Sequence, residues 1–412
     1  MTSGIEPTSV LITNARVLDV EGGEYLEGTN LLIVGETIAE VGGSEVGALR
    51  DSSVIDAEGH TVLPGLIDAH VHVTASTADI SALAEWSPSY VAARAGRILR
   101  DMLHRGFTTV RDVGGADHGL ADAVQEGYFP GPRLLFGGKA ISQTGGHGDM
   151  RPRGRVVADE HPCRATISVV CDGVGEIRKA VREQLRTGAH HVKLMLSGGV
   201  ASPTDRVDST QLSLEEIRAV VEEAEAANRY VAGHAYTAHA VNRALRCGVR
   251  SIEHGNLLDE TSIELFRQHG AFYVPTLVTY RALADEGPRY GLPPGSHRKV
   301  SDVLEHGLRA LELAYRGGID IVFGTDLLGG MHPHQAKEFA IRAEVQPAID
   351  VIRSATSVAA RLVGLRGRIG EITPGAYADI LMVKGDPLND IAVLARPEEH
   401  VKLVMKAGRV MR

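Results

Sequence analysis

Cysteine is scarce in this chain, and the three present, Cys163, Cys171 and Cys247, show no Cys-x-x-Cys spacing. An odd number cannot all pair within one chain, so neither a disulfide framework nor a cysteine-ligated zinc or redox site is expected, and all three read as reduced thiols. Basic excess is missing too. Against 43 Lys and Arg stand 52 Asp and Glu, a net charge of −9. No surplus of cations is left to neutralise a phosphate backbone, which argues against nucleic acid as a partner. No uncharged run is long enough to span a bilayer, and MTSGIEPTSV has neither a basic start nor an apolar core of signal-peptide length. The expectation is therefore no membrane and a cytoplasmic location. Internal repeats and low-complexity segments are also lacking, and 412 residues suffice for one large domain with a smaller one.

What the chain has is alternation. Eight apolar, β-rich runs, at roughly 62–73, 107–114, 133–141, 191–197, 230–236, 251–256, 272–277 and 321–327, are separated by stretches of helical period. That order predicts a parallel α/β fold, and eight strands suit a (β/α)8 TIM-like barrel. The segment 214–228 is such a helix, with Ile217, Val220, Val221 and Ala224 on one face and glutamates on the other. The flanks differ in kind. Residues 10–41 and 369–410 are short alternating strands broken by glycine turns, and neither can bury a core alone. They are expected to pair into one composite β-sandwich domain, residues 1–63 with 366–412, around a barrel at 64–365. The segment ADEGPRYGLPPGS, 284–296, reads as a loop over the barrel mouth.

Potential metal ligands gather at the ends of the predicted strands. In GLIDAHVHV, His70 and His72 alternate along a strand and so share a face. Two imidazoles there can chelate one ion; two core histidines satisfied by backbone are the alternative. Inward residues at the C-terminal strand ends of a barrel face the active site, which favours the ligand reading. Lys193, in HVKLMLSGG, stands in a run that should be buried, and lysine is almost never buried without a partner. A protonated amine cannot ligate a cation, and burial lowers its pKa. The neutral amine reacts with carbon dioxide to give a carbamate, an anion whose two oxygens suit a bridge between two metals. A snorkelling lysine, or one paired with Asp326, is the other reading. His234 in YVAGHAY and His254 in RSIEHGN come late in their own strands, where a second metal can be held. Asp326, in IVFGTDLL, ends the eighth strand, which neighbours the first in a closed barrel. Ligands of these types on separate strands suit zinc or a similar divalent ion.

Two further residues are candidates for substrate contact. Tyr236, two residues after His234 on the same strand face, is placed to donate to a carbonyl or carboxylate, or else packs with a wet hydroxyl. His147 lies in the glycine-rich ISQTGGHGDM after the third strand, positioned to meet a substrate carbonyl or carboxylate, or else is a surface residue. His190, His191, His239, His332 and His334 read as packing or solvent-facing residues, the last two also as candidates for the entrance.

The order PGLIDAHVH, VKLMLSGG, VAGHAY, IEHG and GTD resembles the amidohydrolase superfamily over essentially the whole chain, with RIGEITPGAYADILMVKGDPL similar to the returning strands of its β-domain. Within it, VKLMLSGGVASPTD, HAYT and SIEHG resemble the prolidase-like metal-dependent carboxypeptidase and dipeptidase branch. Arg206, directly after SPTD, matches no residue of that pattern and is carried as a candidate substrate contact. The resemblance implies two divalent ions, zinc foremost, held by His70, His72, Lys193 as its carbamate, His234, His254 and Asp326. It implies hydroxide attack on a small amide or peptide substrate bearing a free C-terminal carboxylate, with Asp326 moving the proton to the leaving amine. Dipeptides, N-acyl amino acids and phenylalanine conjugates such as ochratoxin A are the expected substrates, and a homo-oligomer the expected assembly. A cyclic amide or lactone hydrolase stays open, because the same hydroxide attacks either bond. A mononuclear deaminase of the superfamily would lack the strand-four lysine and carry a glutamate soon after the strand-five histidine; HAYTAHAVNRA has none.

Overall fold

The computed structural model describes residues 9–155 and 165–412. The expectations for the first eight residues and for Cys163 lie outside them. Two compact units emerge: residues 68–101 with 110–346, and residues 9–67 with 102–109 and 347–412.

In the larger unit, strands alternate with helices and pair in parallel. Val192–Met195, Val231–Thr237, Ser251–Leu257, Phe272–Val274 and Asp320–Ile321 follow one another side by side in chain order. Their near-continuous burial is what a parallel sheet covered on both faces requires. Register sets the chemistry: Met195 faces His234, and His234 faces Glu253. The ring closes where the Ala69 amide donates to the Phe323 carbonyl at 2.9 Å and the Asp326 amide to the His70 carbonyl at 2.8 Å. The third strand comes in two pieces, Arg133–Phe136 beside Phe107–Asp112 and Ala140–Ser142 beside Val192–Met195. Between them, a Cβ on Gly137 would stand 2.7 Å from His191 Nε2, so the bend is made where the backbone passes a ring. The predicted (β/α)8 barrel is the observed fold.

Local chemistry explains the helices. Ser213 and Glu216 form a reciprocal capping box that starts Leu214–Ala226, whose buried face carries Ile217, Val220, Val221 and Ala224. The segment expected as a loop at 284–296 is largely helical: Leu277–Glu286 continues into a 3-10 turn, Gly287–Tyr290, and Pro294–Arg316 follows. Pro294 occupies a first-turn position, where its missing N–H costs nothing, and Gly291 takes a left-handed φ of 96° between the helices. The prolines and glycines punctuate helices here instead of preventing them. No helix among the described residues is long and apolar enough to cross a membrane.

The smaller unit holds an eight-stranded sheet made from both ends of the chain. Ser9–Asp19 pairs antiparallel with Glu24–Val34, and Ile380–Val383 pairs antiparallel with Thr61–Pro64. Ile12, Val17, Ile33, Val62, Ile380 and Met405 build its core. The run expected as one strand at 62–73 is thus two, Thr61–Pro64 in this sheet and Leu66–Val71 in the barrel. They part at Gly65, where a Cβ would collide with the Thr108 side chain.

Candidate metal centre

His70, His72 and Asp326 form a group able to hold a cation, with one ligand atom of each within 4.8 Å of the others. Asp326 Oδ1 stands 3.4 Å from His70 Nε2 and 3.3 Å from His72 Nε2. The other ring nitrogens are spoken for: His70 Nδ1 meets Glu253 at 2.7 Å, and His72 Nδ1 meets the Gly114 carbonyl at 2.7 Å. Each bond fixes a tautomer that leaves Nε2 bare toward Asp326. His70 Nε2 is buried with no hydrogen-bond partner, an arrangement that costs free energy unless a cation accepts its lone pair.

The histidines of the fifth and sixth strands stand next to this group. The His254 ring lies 4.9 Å from that of His70 and 4.6 Å from that of His234. His254 Nδ1 bonds Thr276 Oγ1 at 2.8 Å, and His234 Nε2 meets the Gly198 carbonyl at 3.2 Å, so among the described residues each ring again has one nitrogen with no hydrogen bond. Backbone strain marks the spot: His254, Thr276 and Asp326 all have positive φ, 76°, 46° and 51°. Such conformations cost on the order of 1–3 kcal/mol each and persist where the surroundings impose them, often at functional sites.

Lys193 completes the ring of ligand types. It is buried and makes no hydrogen bond or ion pair with any described residue, Asp326 included. Burial lowers its ammonium pKa to about 8, against the pull of Glu253 and Asp326. Burial likewise lowers His72 to about 4 and His70, His234 and His254 well below the ordinary imidazole range, so all four are neutral, as metal ligands must be. Asp326 is pushed up to about 7 by burial, with Lys193 opposing.

These six residues, with His147 and Tyr236, line one narrow cavity of about 50 Å³. His147 stacks on His234 at 4.2 Å. The Tyr236 hydroxyl accepts from Tyr280 at 3.1 Å, which leaves its own hydrogen to donate. Ile80, Met150 and Ile167 are shared with a wider chamber of about 490 Å³ next to it.

The model of the amidohydrolase family matches residues 61–411. This chain belongs to the amidohydrolase family. The amidohydrolase is 49% identical to a prolidase solved with N-methylphosphonate-L-proline, with a TM-score of 0.96 over 98% of this chain and 99% of that one. It is 32% identical to a Xaa-Pro dipeptidase solved with methionine in the active site, with a TM-score of 0.88 over 98% and 99%. Ochratoxinase from Aspergillus niger is 32% identical over 424 residues, 99% of this chain and 88% of that relative. These relatives place the amidohydrolase in the prolidase-like branch.

Arg206, carried from sequence as a candidate substrate contact, does not line the cavity. Its guanidinium pairs with Asp208 at 2.7 Å and its side chain is 82% exposed, so the reading as a substrate contact gives way to a surface ion pair. His332 and His334 do not line the cavity either; His332 Nε2 meets the Ala75 carbonyl at 3.1 Å and His334 meets Glu286 at 2.6 Å. Several residues of the amidohydrolase that shape its centre were not singled out in the sequence. Arg111 holds both Glu253 oxygens, at 2.8 and 2.9 Å, and Glu253 in turn holds His70. Both charged residues sit inside buried strands, the same signal that marks Lys193. Tyr280, on the helix after the seventh strand, carried no such mark.

Proposed function

We propose that this amidohydrolase, a hydrolase acting on C–N bonds, cleaves an amide next to a free C-terminal carboxylate, in dipeptides or N-acyl amino acids. The observation that carries this reading is the convergence of five ligand-type side chains and Lys193 on one cavity that also presents the Tyr236 hydroxyl. A divalent pair fits the donor set. His70 Nε2 is buried with no hydrogen-bond partner, each of the other histidines has one ring nitrogen with no hydrogen bond among the described residues, and the buried Lys193, as a carbamate, would add an anion to the donor set. His70, His72 and Asp326 would hold one ion, His234 and His254 the other, and Lys193 would bridge. Bound there, ions such as zinc act as Lewis acids and make hydroxide available near neutral pH.

The chain's own groups do the rest. Asp326, whose Oδ1 stands 3.4 Å from His70 Nε2 and 3.3 Å from His72 Nε2, takes the proton of the attacking water and returns it to the leaving amine. Tyr236 donates to the substrate carbonyl or α-carboxylate, and His147 faces the same group from the third-strand loop. The wider chamber adjoining the cavity gives a bulky acyl group room, so ochratoxin-like conjugates fall within the proposed range. The test is hydrolysis by the metal-reconstituted protein of dipeptides and N-acyl amino acids, each against its C-terminal amide and against lactones. Cleavage confined to free carboxylates is expected; equal cleavage of both forms, or a preference for lactones, overturns the proposal.

A further inference from the structure

The loop after the fourth strand, SGGVASPTDRVDSTQ, folds back on itself, with Ser197 bridging Thr210. At its centre lies Asp205, whose side chain is 3% exposed. Its carboxylate accepts from the Gly199 amide at 3.2 Å, from Gln211 Nε2 at 3.0 Å, from Lys299 Nζ at 3.5 Å and from the Ser202 hydroxyl. Lys299 comes from the helix Pro294–Arg316 and also donates to the Gly199 and Ser202 carbonyls, at 3.0 and 2.9 Å. The cluster reaches His147 twice. Gln211 Oε1 accepts from the His147 amide at 2.8 Å, and Ser202 Oγ lies 2.8 Å from His147 Nδ1.

Counting hydrogens decides the direction of that last bond. The Asp205 carboxylate and the Gly199 carbonyl, 3.3 Å from Ser202 Oγ, both only accept, so the single Ser202 hydrogen goes to them and the serine oxygen has only lone pairs left for His147. Nδ1 must therefore carry the hydrogen. The ring plane is held between His234, stacked on one side, and Gly199, where a Cβ would stand 2.1 Å from the ring, on the other. His147 Nε2 has no hydrogen-bond partner among the described residues, and the ring lines the cavity.

We propose that Asp205 and Ser202 are positioning residues for His147: the Asp205–Ser202 relay holds the ring hydrogen on Nδ1 and presents Nε2 to the substrate. The inference rests on reading His147 as a substrate contact. Ser202→Ala removes the relay while leaving the bonds of Asp205 to Gly199, Gln211 and Lys299 in place. In it, kcat/KM falls on the order of tenfold, carried by KM, the upper range for one lost hydrogen bond. Ser202→Thr, which keeps the hydroxyl, retains activity. In a His147→Ala background, Ser202→Ala has no further effect, because a positioning residue acts only through the group it holds. Independent of turnover, nitrogen NMR of histidine-labelled protein shows His147, assigned by its loss in His147→Ala, protonated on Nδ1. A wild-type ring carrying its hydrogen on Nε2 alone overturns the proposal, as do additive effects in the cycle. Absence of any amide hydrolysis by the wild type would instead refute the proposed function and leave the NMR result to decide the relay.

Discussion

His70 gives Nδ1 to Glu253 at 2.7 Å, a bond between side chains that are 1% and 0% exposed. Glu253 is itself gripped by Arg111 and by Ser251 Oγ at 2.7 Å, so the imidazole is oriented by a chain of buried partners, none of which lines the cavity. Glu253→Gln keeps the shape and weakens the hold. A 10- to 100-fold loss of metal affinity is expected, on the order seen for partners of this kind, read by metal titration of the apoprotein. Because Arg111 loses the full charge of its partner, the variant also unfolds at lower denaturant.

Lys193 is the residue whose burial asks for an explanation. Lys193→Ala is expected to lose most of the bound metal together with activity, as elemental analysis alongside an amide assay will show. A full complement of metal in an inactive Lys193→Ala protein rules out the bridging role.

At the eighth strand, binding and proton transfer separate. Asp326→Asn keeps an oxygen for a cation and cannot carry the proton, so kcat drops by about a hundredfold or more with metal retained. Steady-state kinetics on the metal-loaded variant measure this, and near-wild-type turnover removes Asp326 from the chemistry.

Tyr236 has one hydrogen to give once Tyr280 has donated to it. Tyr236→Phe should narrow the preference for a free over an amidated substrate carboxylate, by the worth of one buried hydrogen bond, about 1–3 kcal/mol. An unchanged ratio of kcat/KM values assigns carboxylate recognition elsewhere.

Far from the cavity, Glu223 is bound by Arg182 and Arg178, which hold its carboxyl down at about 2. A depressed acid stabilises the fold above its unfolded pKa, and that contribution is lost as pH falls through the folded value. The difference in urea midpoint between wild type and Glu223→Gln is therefore constant above about pH 5 and shrinks between there and about pH 2. Because the two arginines are at least partly exposed to solvent, the difference is small and added salt reduces it.

The barrel strands and the side chains that line its cavity were legible because periodicity fixes where strand side chains point. His70 and His72 share a face by alternation, and Lys193 stands out against an apolar run. Glu253 and Arg111 carried the same signal, a charge inside a buried strand, and needed only the same rule. Loop chemistry was not legible in this way. Arg206 was singled out one position beyond Asp205, the residue that makes the bonds, because no period dictates side-chain direction in a loop that folds back on itself. Left-handed backbone at His254 and Asp326 breaks alternation at the strand ends, which a two-residue repeat cannot announce. The split of the first run at Pro64–Gly65 had its punctuation in view, but which half joins the terminal sheet depends on Ile380–Val383, more than three hundred residues away.

That distance sets a schedule for the nascent chain. At a synthesis rate of about 5–20 residues per second, Thr61–Pro64 leaves the ribosome roughly 15–60 s before Ile380–Val383 arrives to zip onto it. Through that interval one strand of the smaller unit offers its backbone donors and acceptors to any passing β-strand. The N-terminal sheet is begun early and finished last, so the chain's exposure to chaperones and to mispairing is written into its topology.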